Sequence, residues 1–406
     1  MPSESSESWI RMNARARTRA DATVGGGHRP NYAVPPGANI ADAIAERGLK
    51  QADVAARLGM HPPVLSDLIH GKRTITPETA RALELVLGIP MAFWLKAEAR
   101  FREQQARIED SQRYATWLGW ANEFPLTEMM KLGWLPRIPA KDAVGRVRAL
   151  LAFLQVATPD AWSASYQRLQ IAYRKTTAFP AAPTHLGAWL QQGERQARSR
   201  EMKPYDGDAF RDALNQARQW AGQPGEVPLE SVQRLFRGCG VGLEYVPALP
   251  KSRAAGATRW LDSETPLIQL SLRGKTDDLY WFTLFHETAH VLKHGHSEVL
   301  AALDDAEDQR EIEANEWAAN HLIPTEAWQE FIHQGLFSPG RIQEFAAEVN
   351  MAPGVVVGRL QKEGYLNKAA GNRLKRPVDF PVASKPVALL EPEEQAAQWT
   401  EALGAY

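Results

Sequence analysis

The sequence predicts a mainly α-helical protein, with an all-α unit toward the N-terminus and a small α+β unit toward the C-terminus. Three observations carry this. Helical spacing of apolar residues dominates from about residue 36 to 221. Short β-like runs replace it between 241 and 272, and helical spacing then returns to about 363. The 406 residues are enough for two or three domains, each burying its own core. A hydrophobic content of 44% and a charged content of 23% set aside disordered and fibrous classes. The net charge of −1 excludes a global basic field, so any nucleic-acid binding has to be local. A lone cysteine, Cys239, excludes an internal disulfide and a cysteine-based zinc cluster, and it suits a reducing cytoplasm. No apolar run reaches the length of a membrane span, and Met1–Ser8 lacks the apolar core of a secretory signal.

Residues 1–34 are polar, contain Gly25, Gly26, Gly27 and Pro30, and read as a flexible leader made mildly basic by Arg11, Arg15, Arg17 and Arg19. The first helical unit spans 35–107. Within it, Ala52–Arg73 reads as helix, tight turn, helix. Val54, Leu58, Val64, Leu65 and Ile69 space as one buried face, Ala56 is the small residue expected where the helices meet, and Gly59 falls at the turn. Pro62 and Pro63 are tolerated in the first turn of the second helix, whose N–H groups lack partners anyway. A helical, Trp-rich region follows over 112–222, broken by several prolines, and Gly222–Gly225 marks a linker. The α+β unit spans 226–365, with strands expected over Val241–Val246, Ala255–Leu261 and Leu267–Leu272 and a helix over 277–294. An acidic stretch through Asp304, Asp305, Glu307 and Asp308 leads to a further helix ending at Leu322, before Pro324, and two short helices fit 338–363. Residues 366–406 read as a loosely ordered tail.

The helix over 277–294 carries the most specific chemistry. His286 and His290 lie four residues apart, so both imidazoles share one helix face and reach one metal ion. Glu287, directly after the first, is placed to take a proton from water at that metal. A catalytic zinc needs a third protein ligand. His296 has the spacing for it, but Lys293 stands where the helix-breaking glycine of that pattern belongs. Glu311, Glu313 and Glu316 of the next helix supply carboxylates instead. Tyr280, Arg273, His294, His321 and Arg359 are the polar groups available to stabilise an oxyanion.

His286–His294, followed by Glu311–Pro324, resembles the ImmA/IrrE metallopeptidase family, which pairs H-E-x-x-H with a downstream E-A-[ND]-x-[FW]-A helix and an L-[IM]-P stop. The resemblance extends upstream through Ala257–Leu261 and Leu270–Arg273 and covers about 225–365. It implies a zincin-like peptidase fold, Zn²⁺ (Mn²⁺ is also compatible) held by His286, His290 and Glu313, and Glu287 as the catalytic base. Ala52–Arg73 resembles the Cro/repressor-like helix-turn-helix family, and the surrounding stretch is similar to HigA-type antitoxins through Gly71–Pro77 and Leu87–Leu95. This implies a homodimer on a double-stranded DNA operator, with His61, Val64, Ser66 and Asp67 facing bases, Lys72 and Arg73 gripping phosphates, and Gln51 at the start of the first helix. The recognition helix holds an aspartate and no arginine before Lys72, so the expected DNA affinity is either modest or leans on the Arg11–Arg19 arm. A fainter repeat, Phe345–Val356 against Val54–Leu65, suggests a second, mainly structural helix-turn-helix piece. Together these imply a bacterial or phage cytoplasmic regulator that binds DNA and cleaves a repressor- or antitoxin-like protein. The alternative is a transcription regulator or antitoxin whose peptidase-like fold is a non-catalytic sensor or partner-binding module.

Overall fold

A computed structural model describes residues 32–173, 182–252, 254–295 and 306–381. Most of the leader, His296, the acidic stretch through Asp304 and Asp305, and residues 382–406 lie outside the described residues. The chain divides into two units, 1–116 and 117–406.

In the first unit, α1 (Gly37–Glu46), α2 (Gln51–Arg57), α3 (Pro62–Ile69), α4 (Pro77–Leu87) and α5 (Met91–Thr116) surround a core of Ile40, Val54, Ala55, Leu65, Leu68, Leu83 and Trp94. The small residue between the helices is Ala55, which is fully buried, and not Ala56, which is exposed. The α2–α3 turn passes through Gly59 at φ +67°, where a side chain would be strained. Gly37 packs against the end of α3, where a Cβ would sit 2.1 Å from the Leu68 carbonyl oxygen. Thr76 caps α4 by accepting the Thr79 N–H, Pro77 begins the helix, and Gly88 ends it in the left-handed region. Helix α5 runs through 107–112, where the sequence reading ends the first unit. Arg107–Glu103 and Arg113–Asp110 ion pairs line its exposed face.

In the second unit, α6 (Leu118–Ala121), α7 (Leu126–Lys131), α8 (Ala143–Leu154), α9 (Pro159–Tyr173), α10 (Pro183–Arg198), α11 (Gly207–Gly222) and α12 (Leu229–Gly238) precede the sheet. Strands β1 (Gly242–Tyr245), β2 (Gly256–Trp260) and β3 (Pro266–Leu270) have the order β1-β3-β2, with β1 parallel and β2 antiparallel to β3. β1 and β2 fall within the runs expected of them, and β3 starts one residue before its run and stops two residues short of its end. Helix α10 covers one sheet face: Gln269 donates to the Trp189 carbonyl and Arg259 to the Leu190 carbonyl, both at 2.6 Å. The other face bears Leu243, Tyr245, Ile268 and Leu270. These join Phe210 and Leu214 of α11, Phe236 of α12 and Trp281, Leu284 and Phe285 in one core. The middle region and the α+β region therefore share a core.

Helix α13 (Asp277–Ala289) lies on that apolar face and continues into a π-helical turn, His290–His294. Helices α14 (Ala306–Leu322), α15 (Thr325–Gln334), α16 (Pro339–Glu348) and α17 (Pro353–Lys362) follow. The first turn of α13 carries Asp277 and Asp278, favourable at a helix N-terminus. Both are buried and paired: Asp277 with Arg376 at 2.8 Å and Asp278 with Lys375 at 2.7 Å. The segment after 366 is thus bound here, not loose, through Lys275–Val378 and Asp277–Arg376 backbone hydrogen bonds as well. Gly354 and Gly358 let α17 cross those aspartates; a Cβ at Gly354 would lie 2.3 Å from Asp277 Oδ1.

Candidate metal centre and DNA-binding surface

α13 and α14 bring three donors together. His286 Nε2 and His290 Nε2 are 3.2 Å apart. The Glu311 carboxylate reaches His286 Nε2 at 3.2 Å through Oε2 and His290 Nε2 at 3.4 Å through Oε1. Zinc arms of about 2.1 Å at the tetrahedral angle place donors about 3.4 Å apart; the Nε2–Nε2 distance and the distance from each ring to its own Glu311 oxygen are close to that value. Among the described residues this is the one cluster of its kind. Glu313, the third ligand implied by the family resemblance, is not brought to the pair. It turns to the far side of the π-helical turn, where its Oε2 stands 3.5 Å from His294 Nε2 and Gln309 donates to its Oε1. On a helix, positions 311 and 313 point about 200° apart, so only one of the two can face α13.

The surroundings fix the imidazoles. Asn315, one turn after Glu311, has its Oδ1 3.1 Å from His286 Nδ1; a proton on that nitrogen leaves Nε2 free for a metal. His290 Nδ1 meets His294 Nδ1 at 3.0 Å, and the widened π turn carries His294 to this place. Burial by itself would raise the Glu311 carboxyl, but hydrogen bonds from His286 and His290 outweigh it and hold it at about 2. Burial lowers His286, yet Glu311 and Glu287 beside it bring the net shift upward. Burial lowers His294, and the neighbouring His290 adds to that.

Glu287 is 7% exposed and points away from this cluster's helix α14, toward β2. Thr258 of β2 donates to its Oε2 at 2.8 Å. Gly256 lies so close that a Cβ there would meet Glu287 Oε1 at 2.5 Å. Of the candidate oxyanion groups, Tyr280 is buried against the Tyr245 hydroxyl at 2.9 Å, and Arg359 caps α14 by donating to the Ala319 and Ile323 carbonyls at 3.1 Å. His321 stacks on Trp317. Arg273 is exposed in the loop before α13. Of the five, His294 touches the cluster, through His290 Nδ1. Sequence reasoning missed Asn315, Thr258 and Gly256. Asn315 had a signal, its i+4 spacing from Glu311, and Thr258 lies in Ala257–Leu261, a stretch that shares the family resemblance; Gly256 had none.

Residues 40–94 match the helix-turn-helix family profile, and residues 245–361 match the M78 peptidase family profile, described as the IrrE N-terminal-like domain. The chain joins a helix-turn-helix domain to an M78-type peptidase domain. No curated protein matches it significantly. The helix-turn-helix domain is a DNA-binding type, and the peptidase domain a metallopeptidase type. In the former, Gln51 is exposed at the start of α2, and His61, Lys72 and Arg73 are exposed around α3. Val64, Ser66 and Asp67 are half-buried; Asp67 also takes the Lys72 and Arg73 N–H groups on its carbonyl, which shapes the turn after α3. The C-terminal repeat has the same turn: Met60 N–H bonds the Ala55 carbonyl and Met351 N–H the Ala346 carbonyl, with Gly59 and Asn350 both at positive φ. Its second helix, α17, buries Val355, Val356, Val357 and Leu360, so it supports α13 instead of presenting a reading face. No helix among the described residues is long and apolar enough to cross a membrane.

Proposed function

We propose that the chain is a zinc-dependent, site-specific endopeptidase that also binds operator DNA, and that its substrate is a repressor- or antitoxin-like protein in the bacterial or phage-infected cytoplasm. The observation that carries this is the tripod of His286, His290 and Glu311, with Glu287 of α13 next to His286 in the chain and held by Thr258 of the edge strand β2. His286 and His290 would hold the ion by Nε2 and Glu311 by its carboxylate; Asn315 and His294 orient the two rings. Manganese also suits this donor set. When bound, the ion polarises the scissile carbonyl and acidifies the attacking water. Glu287 takes the proton from that water and hands it to the leaving amine. Its near-complete burial keeps bulk water from competing for the proton. β2 is an outer strand of the sheet among the described residues, so an extended peptide adding along its outer edge would pass Glu287.

On the DNA side, His61, Val64, Ser66 and Asp67 face bases while Gln51, Lys72 and Arg73 hold phosphates, and a homodimer reads the two halves of an operator. Joining the two domains raises the local concentration of a substrate that works on the same DNA. The test is in cells: wild type lowers the level of its target protein and Glu287→Gln does not. If no candidate target differs between the two strains, the endopeptidase reading fails and a non-catalytic partner-binding role takes its place.

A further inference from the structure

Resting on that reading, we propose that Thr258, with Gly256, is the positioning device for the Glu287 carboxylate, and that it leaves Oε1 as the oxygen that exchanges the proton. Glu287 has three rotatable side-chain bonds, and a base that wanders among them loses most of its effect. β2 alternates so that Gly256, Thr258 and Trp260 face one side and Ala257 and Arg259 the other. The Thr258 hydroxyl has two acceptors within reach, Glu287 Oε2 at 2.8 Å and the Glu287 backbone carbonyl at 3.0 Å. That carbonyl already accepts the His290 N–H. The single hydroxyl proton is therefore best placed on the carboxylate, where the bond is charge-assisted. Oε2 is thus occupied. Oε1 borders Gly256, where a Cβ would lie 2.5 Å from it and 2.8 Å from Glu287 Cγ. Any side chain at 256 would displace the carboxylate. One strand thus holds one oxygen and makes room for the other.

The test uses the zinc-loaded full chain as wild type, Thr258→Val, Thr258→Ser and Gly256→Ala. The protein encoded beside the chain is the substrate, cleavage is read by mass spectrometry, and a peptide spanning the cut is then used for kinetics. Thr258→Val keeps the shape and drops the hydroxyl, so kcat falls about 10–100-fold with KM within about twofold, the scale of losing a group that orients a metal-site residue. Thr258→Ser restores most of kcat. Zinc affinity, measured by chelator competition, stays at the wild-type value in both. Crystal structures of Thr258→Val and Gly256→Ala show the Glu287 carboxylate moved from its place beside β2. Full kcat in Thr258→Val, equal losses in the Val and Ser variants, or an unmoved carboxylate in both crystals overturns the proposal. A wild type that cleaves nothing, with the carboxylate still displaced in the variants, defeats the peptidase reading while the positioning role stands.

Discussion

Exchanging the two competing glutamates of α14 for glutamine, one at a time, separates the geometry from the family resemblance. Glu311 stands 3.2 and 3.4 Å from the two Nε2 atoms, while Glu313 reaches only His294. Zinc in a small protein site is bound by about 10–16 kcal/mol, so one ligand of three or four is worth about 3–5 kcal/mol, or about 10²–10⁴-fold in affinity. Glutamine keeps a weak carbonyl donor, so Glu311→Gln sits at the lower end, about 10²-fold weaker. Glu313 has a side chain 41% exposed and acts on His290 only through His294. Its loss as an exposed partner changes affinity less than about threefold. Competition against a chromophoric chelator at pH 7.5 or so reads both. A loss of affinity in Glu313→Gln equal to or greater than that in Glu311→Gln would refute Glu311 as the third ligand.

Three further outcomes follow from the same geometry. Asn315→Ala frees the His286 ring and lowers zinc affinity about 10-fold, measured by the same competition, with the circular dichroism spectrum unchanged; wild-type affinity would exclude the orienting role. Glu244 is buried in β1, which raises its carboxyl to about 7 in spite of Arg200 and Gln233. The folded state therefore holds a proton that the unfolded chain releases near its ordinary value, and the stabilisation present at low pH is lost as pH rises through about 7. Thermal melts from pH 5 to 8 should fall less steeply for Glu244→Gln than for wild type, and parallel curves would contradict this. Lys72→Ala and Arg73→Ala should each weaken DNA binding whatever the sequence and reduce the salt slope by about 1, read by fluorescence anisotropy across a salt series; an unchanged slope would remove them from the phosphate contacts.

What the sequence discloses and what it hides divide along the range of the interaction. His286, Glu287 and His290 are legible because a helix repeats every turn and their pairing is local. So are the strands, and the α2–α3 turn with its glycine. The third donor is not, because whether Glu311 or Glu313 faces the histidines depends on how α14 crosses α13. Thr258 and Gly256 reach Glu287 across 29 and 31 positions of chain, and spacing carries no trace of that. The π turn at His290–His294 is hidden for a different reason: its residues suit an α-helix equally well, and packing around the site shifts the ladder. The C-terminal helix-turn-helix repeat shows the converse case. Its turn is legible from Phe345–Val356, but burial of Val355–Val357 against the core is what turns a reading helix into a support. Arg359 and Tyr280, credible as catalytic groups in isolation, are committed to a helix cap and to a buried tyrosine pair.

The central claim, that the His286–His290–Glu311 site with Glu287 hydrolyses a protein, is tested most directly with purified wild type and Glu287→Gln. Each is loaded with zinc, mixed with the protein encoded beside it, and examined for fragments by mass spectrometry. The account predicts one defined cleavage by the wild type and an intact partner with Glu287→Gln. A partner that co-purifies with both and stays whole with either zinc or manganese would contradict it.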